Sequence, residues 1–246
     1  MLWVTSPAAP QRFPLGRRAG DADVPAVTAD RFLAPSPVSL KICGVTLAAD
    51  AERLVEMGVE ALGANFWPQS KRYLDPAAAG FLRDLEGKIL RVGVFVNAGP
   101  DLPRRLVEEG LIDVVQLHGD ERPADAAAFR EAEIPFLKAI GVKGLSDLEM
   151  ARDFGAAGIL LDAHAPGVYG GTGQTVDWAL AREFAERNPD LPLVLAGGIT
   201  PGNVAAAVEA VRPAALDVAS GAEIRPGVKD FEKVAALMVG AGLQVL

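Results

Sequence analysis

The sequence predicts an α/β protein, a single (β/α)8 TIM barrel over residues 38–246 that follows a disordered or irregular N-terminal extension over residues 1–37. From Val38 onward, short apolar runs alternate eight times with helical runs, which is typical of parallel α/β folds. The apolar runs are nearly continuous, as strands buried on both faces are. A chain of 246 residues, half of them hydrophobic, is long enough for one such barrel.

Each predicted strand ends at a polar or glycine-containing turn. The eight predicted strands cover residues 38–42, 60–66, 90–96, 113–117, 135–139, 158–161, 192–196 and 215–218. The helical runs cover residues 47–57, 76–86, 101–109, 122–132, 146–154, 177–187, 201–210 and 230–239. The alternative is a doubly wound open sheet, but no Gly-x-Gly-x-x-Gly follows the first strand.

Residues 1–37 differ from the rest because they are rich in proline and show no sustained apolar period. The first four residues lack the basic and long apolar segments of a signal peptide, and no hydrophobic segment follows Arg17-Arg18. We therefore expect a dispensable extension or a misassigned start codon rather than an export signal.

The composition of the chain limits which classes of binding partner are expected. The net charge of −8 and the pI of about 4.9 disfavour nucleic acid, and no apolar run has the length of a membrane span. The single cysteine excludes an internal disulfide and predicts a reducing compartment, the cytoplasm. The glycine-rich loops described below favour a small phosphorylated molecule as the partner, and a monomer or homodimer is expected. With only two histidines, a histidine metal site is not expected.

A barrel places its site at the carboxyl ends of its strands, and polar residues gather there. These are Lys41, Cys43, Asn65, Asn97, Gln116, His118, Lys138, Asp162 and Asp217. Cys43 lies where the first strand meets a helix, a position that aims a thiol into a cleft and can lower its pKa. Asp162 ends an apolar strand, where a carboxyl group favours its protonated form and can act as a general acid. The alternatives are a buried structural cysteine and an aspartate that bonds the next loop.

Glycine-rich loops follow three of the strands. Gly197-Gly198 follows the seventh and Ser220-Gly221 the eighth, the two positions where barrels commonly bind phosphate. A loop with Gly170, Gly171, Thr172 and Gly173 follows the sixth and suits a lid. The basic loop Ser70-Lys71-Arg72 predicts a fork for a substrate carboxylate or, alternatively, a solvated charged surface.

An ordered set of short motifs carries a family resemblance. The motifs are Lys41-Ile42-Cys43-Gly44, Gln116-Leu117-His118-Gly119, Leu161-Asp162, Gly170-Gly171-Thr172-Gly173, Asp177-Trp178, Leu195-Ala196-Gly197-Gly198, Ser220-Gly221 and Pro226-Gly227-Val228-Lys229-Asp230. In this order they closely resemble the phosphoribosylanthranilate isomerases of tryptophan biosynthesis, over roughly residues 38–240.

The resemblance implies an isomerase that needs no cofactor or metal. Its reaction is the Amadori rearrangement of N-(5-phosphoribosyl)anthranilate to 1-(2-carboxyphenylamino)-1-deoxyribulose 5-phosphate. By the matching motifs, Cys43 would be the base, Asp162 the acid and Arg72 the residue that meets the anthranilate carboxylate. Phosphate would bind at Gly197, Gly198, Ser220 and Gly221. Lys41, Gln116, His118 and Asp217 would lie beside the substrate.

The sequence departs from the family pattern in three places. Gly63-Ala64-Asn65-Phe66 replaces the usual Gly-Phe-x-Phe, Ser70-Lys71-Arg72 replaces Ser-Pro-Arg, and Ala219 replaces a serine. These departures leave two alternatives: a paralogous barrel isomerase or epimerase for another phosphorylated sugar, and an idle barrel that only binds ligand.

Overall fold

The computed structural model describes residues 27–34, 36–142, 144–163 and 176–246. Eight parallel strands form a closed barrel in chain order, and the last strand pairs with the first. The strands are β1 Ser39–Cys43, β2 Ala61–Asn65, β3 Leu90–Phe95, β4 Val114–Leu117, β5 Phe136–Val142, β6 Gly158–Ala163, β7 Leu193–Leu195 and β8 Ala215–Val218. A short antiparallel hairpin, β9 Glu223–Arg225 and β10 Val228–Lys229, follows the barrel strands. The predicted fold class is confirmed.

Apart from α1, which precedes β1, the helical segments follow strands along the chain. The α-helices are α1 Ala29–Phe32, α2 Ala48–Glu56, α3 Asp101–Glu108, α4 Ala127–Glu131, α5 Trp178–Arg187, α6 Val204–Val211 and α7 Phe231–Gly240. The 3-10 helices are Pro76–Leu85, Leu145–Leu148, Ala151–Phe154 and Ser220–Ala222. Among the described residues, no helix is long and apolar enough to cross a membrane.

The predicted strands agree with the observed ones to within a few residues, whereas two predicted helical runs have a different geometry. Residues 76–86 and 146–154 fold mainly as 3-10 helices. In the first, the buried side chains of Ala79, Leu82 and Leu85 recur every third residue. A spacing of three matches the 3-10 period rather than the α-helical period of 3.6.

The barrel interior is closed at the amino-terminal end of the strands by residues that precede β1. Phe32 and Leu33 are buried and belong to an apolar cluster inside the barrel. The other buried residues of this cluster are Ala61, Leu90, Val92, Val114, Leu137, Ala139, Leu160, Val194, Ala196 and Ala215. Leu33 also packs at the start of β6, where its Cδ2 lies 3.3 Å from the position of a Cβ at Gly158. We call α1 and Leu33 the floor segment.

The position of the floor segment differs from what the sequence predicts for residues 1–37. Residues 27–34 lie within the range 1–37 that is predicted to be an extension, yet they pack into the barrel. A helix of four residues is too short to show an apolar period, so the pattern could not reveal it. Residues 1–26 lie outside the described residues.

Candidate active site

Strand β1 carries two of the predicted site residues on one face. Lys41 and Cys43 are two residues apart, so their side chains leave the strand on the same side. Asp217 on β8 is the register partner of Lys41, and its Oδ1 lies 2.7 Å from Nζ of Lys41. The Lys41 side chain is fully buried, so this ion pair supplies the compensation that a buried charge needs. Burial alone would lower the pKa of Lys41, but Asp217 and Cys43 outweigh it and the pKa is raised.

Gly63 of β2 provides the space in which these groups meet. It is the register partner of Cys43, and a Cβ at this position would lie 2.7 Å from Sγ of Cys43 and 2.9 Å from Nζ of Lys41. The thiol and the ammonium group therefore converge on one point, where the positive charge of Lys41 acts on Cys43. A side chain at position 63 would displace one of them.

The electrostatics of Cys43 differ from the sequence expectation of a lowered pKa. Removal of the thiol from water raises its pKa, and the Asp217 carboxylate raises it further. The positive charges of Lys41 and Lys229 act in the opposite direction without reversing the shift. Helix α2 begins five residues after Cys43, and a helix terminus acts over about one turn, so it does not offset the burial.

Arg72 follows β2 and lies over the end of β1. Its Nε lies 2.8 Å from Oε1 of Glu223 and its Nη2 lies 2.6 Å from Oε2, a two-pronged ion pair. This pair raises the pKa of Arg72, so the guanidinium stays charged. A Cβ at Gly44, where φ is +76°, would overlap Cδ of Arg72. Gly44 therefore permits both the backbone turn and the path of the arginine.

Lys71 stands where the resembling family has a proline before its arginine, and hydrogen bonds fix the loop of Arg72 instead. The backbone N–H of Arg72 donates to Oγ of Ser70, 3.1 Å away, and the N–H of Tyr73 donates to the Ser70 carbonyl. The N–H of Leu74 donates to the Asn65 carbonyl over 2.8 Å, which ties the loop to the end of β2. The loop that carries Arg72 is thus anchored at both ends.

Glu223 and Lys229 join the site although the sequence analysis did not place them there. Oε1 of Glu223 also accepts from Nζ of Lys229 at 2.9 Å and from the N–H of Gly227 at 3.1 Å. Nζ of Lys229 donates as well to the carbonyl of Cys43. Burial alone would raise the pKa of Glu223, but Arg72 and Lys229 outweigh it and the pKa is lowered. The pKa of Lys229 is also lowered, because its side chain is buried. The sequence did contain one signal for this pair. Glu223 lies beside a predicted anion-binding loop, where its negative charge requires a nearby cation.

A second cluster lies on β4 and β6. Nε2 of Gln116 lies 2.7 Å from Nδ1 of His118, and Nε2 of His118 lies 3.3 Å from Oδ2 of Asp162. With the amide nitrogen of Gln116 facing Nδ1, the hydrogen bond is donated to Nδ1, and Nε2 is the ring nitrogen that faces Asp162. The N–H of Ala163 donates to Oδ1 of Asp162 over 2.8 Å. The buried Oε1 of Gln116 has no hydrogen-bond partner among the described residues.

The two clusters occupy different parts of one rim. In the closed barrel, β6 reaches β1 through β7 and β8, so Asp162 and Cys43 approach the central opening from different directions. Lys138 does not join either cluster. Lys138 pairs in register with Leu117, and its Nζ lies 2.6 Å from Oε2 of Glu121. In the part of the chain that is described, no group of three or more His, Cys, Asp or Glu side chains could hold a metal ion.

The two predicted phosphate loops are in contact. Gly197 and Gly198 have φ values of +78° and +63°, and a Cβ at Gly221 would overlap the carbonyl oxygen of Ile199. Asn203 is the N-cap of α6, and its Oδ1 accepts from the N–H of Thr200 at 2.8 Å. The predicted lid residues, Gly170, Gly171, Thr172 and Gly173, lie outside the described residues.

Comparisons with known proteins show which proteins this chain is similar to. A family model described as N-(5'-phosphoribosyl)anthranilate (PRA) isomerase matches residues 40–239. The N-(5'-phosphoribosyl)anthranilate isomerase of Myxococcus xanthus is 46% identical over 209 residues, which are 83% of this chain and 96% of that protein. The enzyme of the same name from Thiobacillus denitrificans is 44% identical over 203 residues, 80% of this chain and 95% of the relative.

Solved structures give the same result. The crystal structure of phosphoribosyl anthranilate isomerase from Thermotoga maritima has a TM-score of 0.75 and 38% identity, and the match covers 83% of this chain and 98% of that one. A crystal structure of such an isomerase with reduced 1-(o-carboxyphenylamino)-1-deoxyribulose 5-phosphate has a TM-score of 0.72 and 36% identity, with the same coverage.

Proposed function

We propose roles for individual residues on the premise that this chain belongs to the N-(5'-phosphoribosyl)anthranilate isomerase family. It is an isomerase of tryptophan biosynthesis that converts N-(5'-phosphoribosyl)anthranilate to 1-(2-carboxyphenylamino)-1-deoxyribulose 5-phosphate. The reaction moves protons without net oxidation of the substrate. It therefore needs one group that donates a proton and one that removes a proton.

In our proposal, Asp162 is the acid. Its proton goes to the ring oxygen of the ribose, the bond between C1 and that oxygen breaks, and the nitrogen lone pair forms a Schiff base at C1. The hydrogen bonds from Ala163 and His118 fix the carboxyl group at the rim of the barrel. His118 therefore orients the acid, and Gln116 sets the tautomer of His118 through Nδ1.

Cys43 is the base. Its thiolate removes the proton from C2 of the opened sugar, the electrons move to the Schiff base nitrogen, and the resulting enol-amine becomes the ketone by proton transfer to C1. A thiol with a raised pKa is a strong base once it is ionised. The positive charges of Lys41 and Lys229 favour that ionisation, whereas the carboxylate of Asp217 opposes it.

Backbone amides hold the phosphate. The acidic protein offers no general attraction for an anion, so local dipoles must supply it. The positive φ values of Gly197 and Gly198 leave the backbone open to close approach, and the contact at Gly221 brings the second loop alongside. Arg72 meets the carboxylate of the anthranilate ring.

We also propose a cytoplasmic location, because a free thiol base requires a reducing compartment. The oligomeric state stays a prediction, monomer or homodimer.

One observation supports these roles most strongly. Cys43, Lys41 and Asp217 converge at the end of the barrel that also carries Asp162. The test is product formation from N-(5'-phosphoribosyl)anthranilate by the purified full chain, with Asp162→Asn and Arg72→Ala as variants. We expect Asp162→Asn to lower kcat with little change in KM, and Arg72→Ala mainly to raise KM. A folded wild-type protein without turnover would instead indicate a paralogue with another substrate or an idle barrel.

A further inference from the structure

The guanidinium group of Arg72 has one edge occupied and one edge open. Its Nε and Nη2 are both held by Glu223, at 2.8 and 2.6 Å. Nη1 makes no hydrogen bond to the residues in the described ranges 27–34, 36–142, 144–163 and 176–246. The Arg72 side chain is 14% exposed and that of Glu223 only 3%, so the arginine is the more accessible member of the pair.

Glu223 is held firmly enough that a substrate carboxylate does not displace it from Nε and Nη2 of Arg72. Its two oxygens accept hydrogen bonds from Arg72, Lys229 and Gly227, and Lys229 is itself buried and bonded to the Cys43 carbonyl. A substrate carboxylate that displaced Glu223 would leave the buried Lys229 charge without its partner, which is costly. The incoming carboxylate must therefore use the remaining Nη1 side.

The charge balance also favours an anion at that edge. Arg72 and Lys229 carry two positive charges against the single negative charge of Glu223. One positive charge is therefore left uncompensated beside the open guanidinium edge. Without Glu223, the long Arg72 side chain would lose its two fixed bonds and with them its defined plane.

We propose that Glu223 is a positioning residue for substrate recognition: it holds the Nε and Nη2 edge of Arg72 and thereby presents the Nη1 edge to the ring carboxylate of the substrate. This inference rests on the proposed role of Arg72 as the carboxylate reader. It assigns to Glu223 a part in specificity for 2-carboxylated aromatic amines, although Glu223 does not touch the substrate itself.

The test is a double-mutant cycle in steady-state kinetics with N-(5'-phosphoribosyl)anthranilate. Glu223→Ala should raise KM about tenfold or more, the loss expected when one charge-assisted hydrogen bond is misplaced, with kcat changed far less. In the Arg72→Ala background the same substitution should change KM little, because residues that act through one another are not additive. Glu232→Ala, an exposed acidic residue on α7, is the matched control and should leave KM unchanged.

A substrate analogue without the ring carboxylate separates positioning from general damage. Glu223→Ala should bind that analogue as wild type does, whereas a disturbed fold would weaken both ligands. If Glu223→Ala does not fold by circular dichroism, Glu223→Gln, which keeps one acceptor oxygen, gives the same comparison with a smaller rise in KM.

Two results would overturn the proposal: an unchanged or lower KM in a folded Glu223 variant, or effects of Glu223→Ala and Arg72→Ala that simply add. Failure of the proposed function would look different, since the wild-type chain itself would then not turn over N-(5'-phosphoribosyl)anthranilate.

Discussion

Nζ of Lys41 lies 2.7 Å from Oδ1 of Asp217, and both groups adjoin the thiol of Cys43. The ammonium group stabilises the thiolate and the carboxylate opposes it. The pair therefore sets the local field at the only cysteine of the chain, and its two members affect that cysteine in opposite directions.

The first prediction concerns the pKa of Cys43. In wild type, the rate of alkylation by iodoacetamide should rise with pH and reach its midpoint above the ordinary thiol value of about 8.5. Lys41→Met removes a positive charge and should move the midpoint up, whereas Asp217→Asn removes a negative charge and should move it down. Because Cys43 is the only cysteine, alkylation followed by mass spectrometry reports on this group alone. Shifts in the same direction would contradict the assigned electrostatics.

The second prediction concerns Gly44. Alanine at this position would have to adopt φ near +76° and would overlap Cδ of Arg72, so the arginine should move. Gly44→Ala should raise KM in the same range as Arg72→Ala, for which we expect a loss of roughly 1.5–3 kcal/mol in binding. Gly80→Ala, where a Cβ would meet nothing within 4 Å, is the control. An unchanged KM in Gly44→Ala, measured by initial rates, would show that Arg72 does not need its observed position.

The third prediction concerns the phosphate. Valine at position 198 would be strained at φ of +63° and would hinder the approach of an anion to the backbone. Gly198→Val should raise both KM and the inhibition constant of inorganic phosphate. Gly202→Ala is the control in the same turn, since its Cβ would meet only Oγ1 of Thr200 at 3.8 Å. Equal phosphate inhibition of Gly198→Val and wild type would refute this placement.

The fourth prediction concerns the floor segment. Phe32 is 1% exposed inside the barrel, and Phe32→Ala should lower the free energy of unfolding by about 3–5 kcal/mol. The exposed Asp30 of the same helix should tolerate alanine at a cost within about 0.5 kcal/mol. Denaturant unfolding measures both. A chain that begins at Val38 should lose at least as much stability as Phe32→Ala, and equal stability with wild type would show that the barrel closes without this segment.

The fold could be predicted because its signals are local. The apolar runs mark the strands, and the polar residues that follow them, such as Cys43, Gln116 and Asp162, mark the carboxyl-terminal rim. The floor segment escaped prediction because two apolar side chains among prolines make no periodic pattern. Its role exists only in relation to the barrel interior.

The sequence motifs predict which residues form the candidate site, and the structure brings Lys41, Cys43 and Asp217 together, but their roles stay predictions. The electrostatics of the site could not be predicted. Arg72 and Glu223 are 151 residues apart in sequence, so no local pattern joins them. The raised pKa of Cys43 likewise depends on burial and on Asp217, 174 positions further along the chain, which outweigh the nearby lysine. Charge pairing across the barrel is a property of the tertiary structure and has to be observed there.

In the proposed mechanism, the thiolate of Cys43 removes the proton from C2 of the sugar. The most direct measurement is the turnover of N-(5'-phosphoribosyl)anthranilate by Cys43→Ser beside wild type. Serine preserves the size of the side chain but is a far weaker base at neutral pH, so we predict a loss in kcat of about a hundredfold or more with nearly unchanged stability. A Cys43→Ser enzyme whose kcat lies within about threefold of wild type, roughly 0.7 kcal/mol in the barrier, would contradict the claim.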